Sequence, residues 1–378
     1  MPRQRAYVAK GNKTSEFYVY DWLADTSWQS LSPIPPGPSG KPPSRGCRGT
    51  GDGLRYIYMV KGNNTNEFWR YDAAVDSWVQ MPDVPESPSG KRVKSGVDLV
   101  HTTVRDTGCI FLLKGNTDEF LSYNTASRDW RFLPGAPVTA KTGYPEGSWL
   151  APDDSLHIYA HRARYHELRR FNIQTGTWDT VRLRGMPFLG CMGRNKKSKD
   201  GGAADRFRGR ILAIKGGNTN EFWCYNTATD SWVERETIPS IGVTFKKLKV
   251  KAGGDIVAVD PGGRLYALKG KSLELWVYLE SDDDRRHGPC PDSTSTALLS
   301  RAEMGKPCAA AIVSGSAAWF PSWCSSQRVT VLDASGRAVR RVQRLSGCFD
   351  LADLRSGVYF IRAENNGRAS IRRMQIIR

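Results

Sequence analysis

Three short runs of basic residues carry the most specific chemistry in this 378-residue sequence: GKRVK at 90–94, RNKKSK at 194–199 and KKLKVK at 246–251. The whole chain has 55 Lys and Arg against 38 Asp and Glu, which gives a net charge of +17. Basic surfaces attract anionic partners over long distances, and salt weakens that attraction. The runs therefore predict an anion-binding surface if the fold brings them together. The alternative is a solvated rim that only aids solubility.

Residues suited to catalysis are sparse. The chain has five histidines, His101, His157, His161, His166 and His287, and the sequence has no Gly-x-Ser-x-Gly, phosphate loop, zinc-protease helix or Cys-x-x-Cys. His157 and His161 would share a strand face, but four residues of strand separate them by ~13 Å, too far for one ion. We predict no catalytic residue, metal site or cofactor. The alternative is an enzyme with an unrecognised site. We expect His161 and His166 to be histidines at the surface or at the end of a strand instead of catalytic residues.

A repeat of about fifty residues must position these side chains. One phrase, KGNNTNEFWRY at 61–71, recurs in six variants, whose Glu falls at intervals of 51, 52, 48, 54 and 53 residues: Glu16, Glu67, Glu119, Glu167, Glu221 and Glu274. In five copies a Trp follows: Trp28, Trp78, Trp130, Trp178 and Trp232. Short apolar runs separated by Gly, Asn, Asp and Pro predict four short strands per unit, the composition of a propeller blade.

These repeats resemble the kelch family in residues 5–280. The match is carried by a glycine turn, an apolar strand and the phrases YDAAVDSW at 71–78 and YNTATDSW at 225–232. The resemblance implies a kelch-type β-propeller, with the recurring Trp and Tyr in the core rather than on a sugar platform. A kelch-type copper radical oxidase would need a Tyr linked to a Cys, and the adjacent Cys224 and Tyr225 would point to opposite faces.

Lys precedes Gly at one repeat position, Lys10, Lys61, Lys114, Lys215 and Lys269, with His161 in the fourth unit. A Glu follows each of them five or six residues later. The two interpretations are a cationic ring at one face and an internal Lys–Glu pair that ties each hairpin. Strict co-occurrence favours the internal pair, expected to be partly exposed and to contribute ~0–1 kcal/mol.

The loops between the fourth strand of one blade and the first of the next should open on the same face as those hairpins. The predicted binding residues are Lys91, Arg92, Lys94, Lys196, Lys197, Lys199, Lys246, Lys247, Lys249 and Lys251. If the protein lies outside the cell, as the resemblance of its C-terminal region described below implies, the expected partner is an acidic glycan or lipopolysaccharide, or else a protein. Nucleic acid is disfavoured because the aromatic residues occupy repeat-core positions instead of interleaving with the basic loops.

Six pairs of second and third strands favour six blades. Blade one lacks an inner strand and blade six lacks the Trp-bearing outer strand. Either a stretch within 290–320 supplies a strand, or the N-terminus is incomplete.

The last fifty residues resemble the C-terminal sorting domain of the bacterial type IX secretion system. The matching residues are Asp333, Gly336, Arg337, Leu354, Gly357, Val358, Tyr359 and Phe360. The resemblance implies export to the outside of the cell or its surface, with the outer-membrane secretion machinery as partner. The alternative is an ordinary Ig-like appendage. MPRQRAYVAKG does not read as a secretory signal peptide, which again suggests an incomplete N-terminus. No apolar run reaches the ~18 residues of a membrane helix.

We therefore predict an all-β protein: a six-bladed kelch-type propeller at 1–285, a linker at 286–305 and a small Ig-like antiparallel β-sandwich at 306–378. The predicted function is a secreted or cell-surface binding or scaffold protein that binds carbohydrate or protein. The alternative is an extracellular kelch-type enzyme, an oxidase or a glycan-active enzyme. Cys290 with Cys308 and Cys324 with Cys348 could form disulfides, while at least some of Cys47, Cys109, Cys191 and Cys224 should be buried and free.

Overall fold

The structure is a computed structural model. It describes residues 5–21, 28–86, 89–139, 143–153, 156–191, 193–242, 246–259, 264–272, 274–279, 299–301, 312–314, 317–319, 328–333, 338–343, 348–350, 357–365 and 368–376. None of these residues forms a helix long and apolar enough to cross a membrane.

Six antiparallel sheets, the blades, follow one another along the chain. Blade 1 consists of β1 (Arg5–Ala9), β2 (Phe17–Asp21) and β3 (Gln29–Leu31), and blade 2 of β4 (Arg48–Gly51), β5 (Tyr56–Val60), β6 (Phe68–Asp72) and β7 (Ser77–Met81). Blade 3 consists of β8 (Asp98–Val104), β9 (Thr107–Leu113), β10 (Phe120–Asn124) and β11 (Trp130–Leu133), and blade 4 of β12 (Trp149–Pro152), β13 (His157–Arg162), β14 (Glu167–Asn172), β15 (Thr177–Trp178) and β16 (Leu183–Arg184). Blade 5 consists of β17 (Ala203–Phe207), β18 (Arg210–Ile214), β19 (Phe222–Asn226) and β20 (Ser231–Arg235), and blade 6 of β21 (Gly254–Val259), β22 (Arg264–Lys269), β23 (Leu275–Leu279) and β24 (Leu299–Arg301).

The predicted six-bladed propeller is confirmed. The first strand of each complete blade is innermost, and β4, β8, β12, β17 and β21 lie side by side in that order around a central channel. Among the described residues blade 1 has no innermost strand, because β1 occupies the second-strand position before Lys10-Gly11. In blade 6, β24 pairs with β23 as the outer strand, so the stretch 290–320 does supply one.

Each blade packs on its neighbour through the repeated aromatic residues. Phe68 of blade 2 meets Trp130 of blade 3 edge-on at a centroid distance of 5.0 Å. The Trp130 Nε1 group also donates a hydrogen bond to the Pro82 carbonyl, 2.9 Å away, between the two blades. Trp78, Trp178 and Trp232 repeat this bond to Ser32, Pro134 and Arg184. A Trp is thus retained in the repeat because its large apolar ring fills the interface while its N–H is satisfied.

Side-chain packing joins the first and last blades. Tyr20 of blade 1 lies 6.0 Å from Tyr266 of blade 6 between ring centroids, and Ala6, Val259 and Leu275 pack in the same cluster. The ring is therefore continuous at its middle strands, whereas none of the described residues forms an innermost strand beside β1.

Beyond the propeller, the described residues form two further sheets. Their strands are β25 (Ile312–Ser314), β26 (Ala317–Trp319), β27 (Arg328–Asp333), β28 (Ala338–Gln343), β29 (Cys348–Asp350), β30 (Gly357–Asn365) and β31 (Arg368–Ile376). One sheet has the order β25-β26-β29 and the other β28-β27-β30-β31. The predicted boundaries at 285 and 305 lie outside the described residues, and β24 lies within the predicted linker.

Candidate functional site: the basic loop face

The connection between consecutive blades lies against the hairpin loops of both. Isolated bridges join Thr65 to Val93 and Thr219 to Val250, each linking a hairpin to the connection that leaves its blade. In blade 3 the Asn116 N–H donates to the Tyr144 carbonyl in the same way. The three basic runs therefore lie on the face that carries the hairpins between second and third strands, as their positions in the repeat require.

One backbone hydrogen bond aligns the connections residue by residue. In five connections, a backbone carbonyl accepts a hydrogen bond from the N–H three residues later in the chain. The residues that supply the carbonyl are Ser44, Lys94, Pro145, Lys199 and Lys251. The residue before each of these is buried: Pro43, Val93, Tyr144, Ser198 and Val250. In an extended segment the two neighbours of a buried residue point the other way, towards solvent. Three connections place basic residues at both outward positions: Arg92 and Lys94, Lys197 and Lys199, Lys249 and Lys251.

We call the ten predicted binding residues the basic loop face. Eight of them are exposed, and Lys94 and Lys249 are half-buried. The side chains of two of the ten residues make a polar or cation–π contact with another described residue. The Lys91 ammonium donates to the Asn116 carbonyl at 3.1 Å, and the Lys197 ammonium lies 5.7 Å from the Phe188 ring centroid. The run at 246–251 has no such contact with the described residues.

The Lys–Glu pairs are internal, as the sequence favoured, but they are not partly exposed. Lys61, Lys114, Lys215 and Lys269 are fully buried beside Glu67, Glu119, Glu221 and Glu274. Only the blade 1 pair, Lys10 with Glu16, is exposed to a substantial degree. The expected partial exposure is therefore wrong for these four pairs, and the value for exposed pairs does not apply to them. Removing one partner of a buried ion pair costs about 3–5 kcal/mol, because the other charge is left buried and unpaired.

The assignment of His161 to this repeat position is wrong. Trp149 pairs with His161 just as Asp98 pairs with Leu113, so His161 corresponds to the residue before the lysine. Arg162 takes the lysine's place, with its Nη1 atom 3.1 Å from the Glu167 carboxylate. The fourth unit keeps the ion pair with a different cation.

His161 is not a surface residue either. It is fully buried, its Nε2 atom lies 2.8 Å from the Ser198 hydroxyl, and burial lowers the pKa of the imidazole to about 3. His157 pairs instead with Asp153, and the His166 ring contacts the Met186 carbonyl. The histidines of blade 4 thus have separate partners, and the described residues contain no cluster of three or more metal-ligating groups.

A charged group in the central channel was missed by the sequence analysis. The Arg48 guanidinium lies 2.9 Å from Asp255 and 3.8 Å from Asp98, and its Nη2 atom donates to the Gly202 carbonyl at 3.3 Å. Arg48 and Asp98 begin the innermost strands of blades 2 and 3, Asp255 is the second residue of the innermost strand of blade 6, and Gly202 directly precedes that of blade 5. One arginine therefore ties four blades together across the channel.

Burial raises the pKa of Asp98 to about 7, although Arg48 and the Leu150 N–H both favour the carboxylate. A cavity of about 1890 Å³ extends from this cluster along the innermost strands and beside β1.

Arg48, Asp98 and Asp255 stand two positions after Gly46, Gly96 and Gly253, which all have positive φ. Opposite charges at one repeat position were the signal that could have identified the cluster.

None of the four cysteines of the described propeller is in a disulfide. Cys224 is buried, which confirms part of the prediction, while Cys191 is exposed. The proposed partners Cys290, Cys308 and Cys324 lie outside the described residues.

The sorting-motif residues fall on neighbouring strands where they are described. Asp333 ends β27, Gly357, Val358, Tyr359 and Phe360 begin β30, and the register places Asp333 opposite Tyr359. Gly336, Arg337 and Leu354 lie outside the described residues.

Fold and repeat together define an all-β, six-bladed propeller, and comparison with known proteins agrees. The chain is 24% identical over 231 residues to the Kelch-like protein terF of Aspergillus terreus, covering 54% of this chain and 46% of that protein. This relative supports a kelch-type propeller, although the chain spans only about half of its length. No protein-family model matches the chain.

Among solved structures, YjhT superimposes with a TM-score of 0.53 at 10% identity, covering 79% of this chain and 95% of that one. A streptogramin B lyase gives a TM-score of 0.48 at 12% identity, with 81% and 82% covered. At these identities the YjhT superposition supports the propeller fold alone.

Proposed function

We propose that the propeller is a binding module, secreted or attached to the cell surface, whose basic loop face contacts an acidic glycan, lipopolysaccharide included. The observation that carries the proposal is the placement of ten basic residues on one face, six of them as outward-pointing pairs at equivalent positions of three connections. A fold positions such a surface but does not select its ligand, so the proposal rests on the charge of the site.

Acidic glycans suit this face better than nucleic acid. Binding of single strands uses exposed aromatic rings on which bases stack. The repeated aromatic residues of this chain are instead committed to the contacts between blades, as Phe68, Tyr123 and Trp130 are. Charge without a stacking surface favours a polyanion that is recognised by its acidic groups.

Binding of the purified full chain to an array of neutral and acidic glycans, at low and high salt, tests the proposal. We expect binding to acidic glycans that weakens with salt. Reversing Lys246, Lys247, Lys249 and Lys251 to Glu should abolish it. The control variant reverses three arginines that are exposed but outside the basic loop face, Arg105, Arg128 and Arg131, and should keep most of the binding.

Unchanged binding by the lysine variant would overturn the proposal. Salt-insensitive binding to one neutral sugar would move the site to the channel or to other loops. If no glycan binds, a protein partner replaces the glycan.

We further propose that the C-terminal region is an Ig-like sandwich that directs export by the type IX system. Support comes from the sequence resemblance, and the pairing of β27 with β30 is compatible with it because it brings Asp333 opposite Tyr359. Deleting residues 329–378 should then retain the protein inside the producing bacterium, measured by fractionation against the full chain. Normal surface display of the truncated protein would contradict this part of the proposal and leave the glycan proposal untouched.

A further inference from the structure

A shallow cavity of about 340 Å³ lies between the hairpin loops of blades 5 and 6 and the connection that joins these blades. Its lining consists of Asn218, Lys247, Leu248, Lys249, Lys251, Gly270 and Lys271. Four of these seven residues are lysines and none is acidic. The volume lies at the lower end of the ~300–1,000 Å³ typical of ligand pockets, which suits a small group.

Backbone hydrogen bonds hold the connection in place on both sides of the cavity. The Val250 N–H donates to the Thr219 carbonyl at 2.9 Å, and the Asn218 N–H donates to the Val250 carbonyl at 2.9 Å. On the blade 6 side, the Lys251 N–H donates to the Lys269 carbonyl at 2.8 Å. The backbone that carries Lys249 and Lys251 is therefore fixed before any ligand arrives, which lowers the entropic cost of binding.

No carboxylate of the described residues lines the cavity. The glutamates of the two adjoining hairpins, Glu221 and Glu274, are paired with the buried Lys215 and Lys269. Within the described part of the chain, no ion pair or side-chain hydrogen bond is found for Lys247, Lys249, Lys251 or Lys271. Four ammonium groups around one cavity repel one another, and a bound anion would replace that repulsion with attraction.

Lys271 departs from the repeat at this cavity. Its counterpart in blade 3 is Asn116, since five residues separate lysine from glutamate in both hairpins. The Asn116 amide donates to the Ser95 carbonyl, 2.7 Å away, and so ties hairpin to connection. Both residues have positive φ, 58° at Asn116 and 49° at Lys271, a conformation that favours Asn over Lys. Blade 6 thus carries a cation where local structure favours an amide.

We propose that this cavity is a subsite for a sulfate or phosphate ester group of an anionic saccharide, an inference that rests on the proposed glycan-binding function. Such a group presents three oxygens that accept charge-assisted hydrogen bonds from several ammonium groups at once. Each lysine contributes up to three donors on a flexible stem, which allows the four to converge on one compact anion.

Calorimetric titration of the full chain with glucose 6-phosphate and glucose 6-sulfate tests the subsite, with glucuronate and glucose as comparison ligands. We expect both esters to bind more tightly than glucuronate, and glucose not to bind. The variant Lys271→Asn restores the residue of blade 3 and should fold normally. Combined with Lys249→Gln, it should weaken ester binding about tenfold or more, because two charge-assisted hydrogen bonds are lost.

The matched control is Arg92→Gln with Lys94→Gln, which removes two charges from the equivalent connection of blades 2 and 3. It should weaken ester binding far less. Equal losses in both double variants, or no loss in either, would overturn the subsite while glycan-array binding could still stand. Failure of all acidic ligands, in the titration and on the array, would overturn the subsite and the proposed function together.

Discussion

The Lys61 ammonium lies 2.7 Å from the Glu67 carboxylate, and both side chains are almost entirely removed from solvent. Lys61 also donates to the Pro36 carbonyl, and Glu67 accepts bonds from the Ser39 N–H and the Trp69 indole. Pro36 and Ser39 belong to the connection between blades 1 and 2. The pair therefore ties its own hairpin to the connection that enters its blade.

Lys61→Met should destabilise the propeller by about 3–5 kcal/mol, because it leaves the Glu67 carboxylate buried without its counter-charge. The matched control is Lys10→Met in blade 1, where the equivalent pair with Glu16 is exposed and should matter little. Urea unfolding of both variants measures the difference. A similar loss of unfolding free energy in Lys61→Met and Lys10→Met would contradict the claim that burial of the pair determines its effect.

The spacing of Glu and Trp was sufficient to predict the blades, because these residues occupy one position each in a repeating sheet. It misplaced His161, because the fourth unit, HRARYHEL, lacks the Lys-Gly that marks the others. Strand register resolves the ambiguity, since His161 pairs with Trp149 and leaves Arg162 to meet Glu167. Register depends on pairing across strands, which spacing along one strand does not contain.

The burial of the lysines could not be predicted from the sequence pattern either. Lysine is rarely fully buried unless it is paired, and only the folded connections show that a second loop covers each hairpin. Arg48 was missed for a related reason. It stands at the same repeat position as Asp98 and Asp255, but the innermost strands share little sequence beyond the glycine that precedes each of them: Gly46, Gly96, Gly147, Gly201 and Gly253.

Gly96 allows the connection that bears Arg92 and Lys94 to touch the next connection, between blades 3 and 4. Its φ is +90°, and a Cβ there would lie 2.4 Å from the Tyr144 carbonyl oxygen in the next connection. Gly90, at the start of the same basic run, has φ of +63° and open space around its Cβ position. Gly90→Ala should cost only the ~1–2 kcal/mol of left-handed backbone strain.

Gly96→Ala should cost clearly more than Gly90→Ala, since the backbone of 144–146 must move as well. It should also weaken binding of the acidic glycan, because the connection that bears Arg92 and Lys94 shifts. Chemical denaturation and array binding of the two variants check these expectations. Equal stability of the two variants would show that the backbone at Tyr144 accommodates a Cβ at position 96 without cost.

His161 should make the propeller sensitive to acid. Burial holds the pKa of its imidazole at about 3, against about 6.5 in an unfolded chain. Between these two values the unfolded chain binds a proton that the folded chain does not, so stability falls as the pH is lowered from about 6.5 towards 3. Above pH 7 the group is neutral in both states and contributes no pH dependence.

His161→Gln removes this titration and retains a side chain that can reach the Ser198 hydroxyl, which lies 2.8 Å from the imidazole Nε2 atom in the native protein. The difference in unfolding free energy between variant and native chain, measured by urea denaturation at a series of pH values, should change steadily in favour of the variant below pH 6.5. His157→Gln is the control on the same strand, because His157 is partly exposed and pairs with Asp153. A difference for His161→Gln that stays constant with pH would contradict the neutral, buried imidazole.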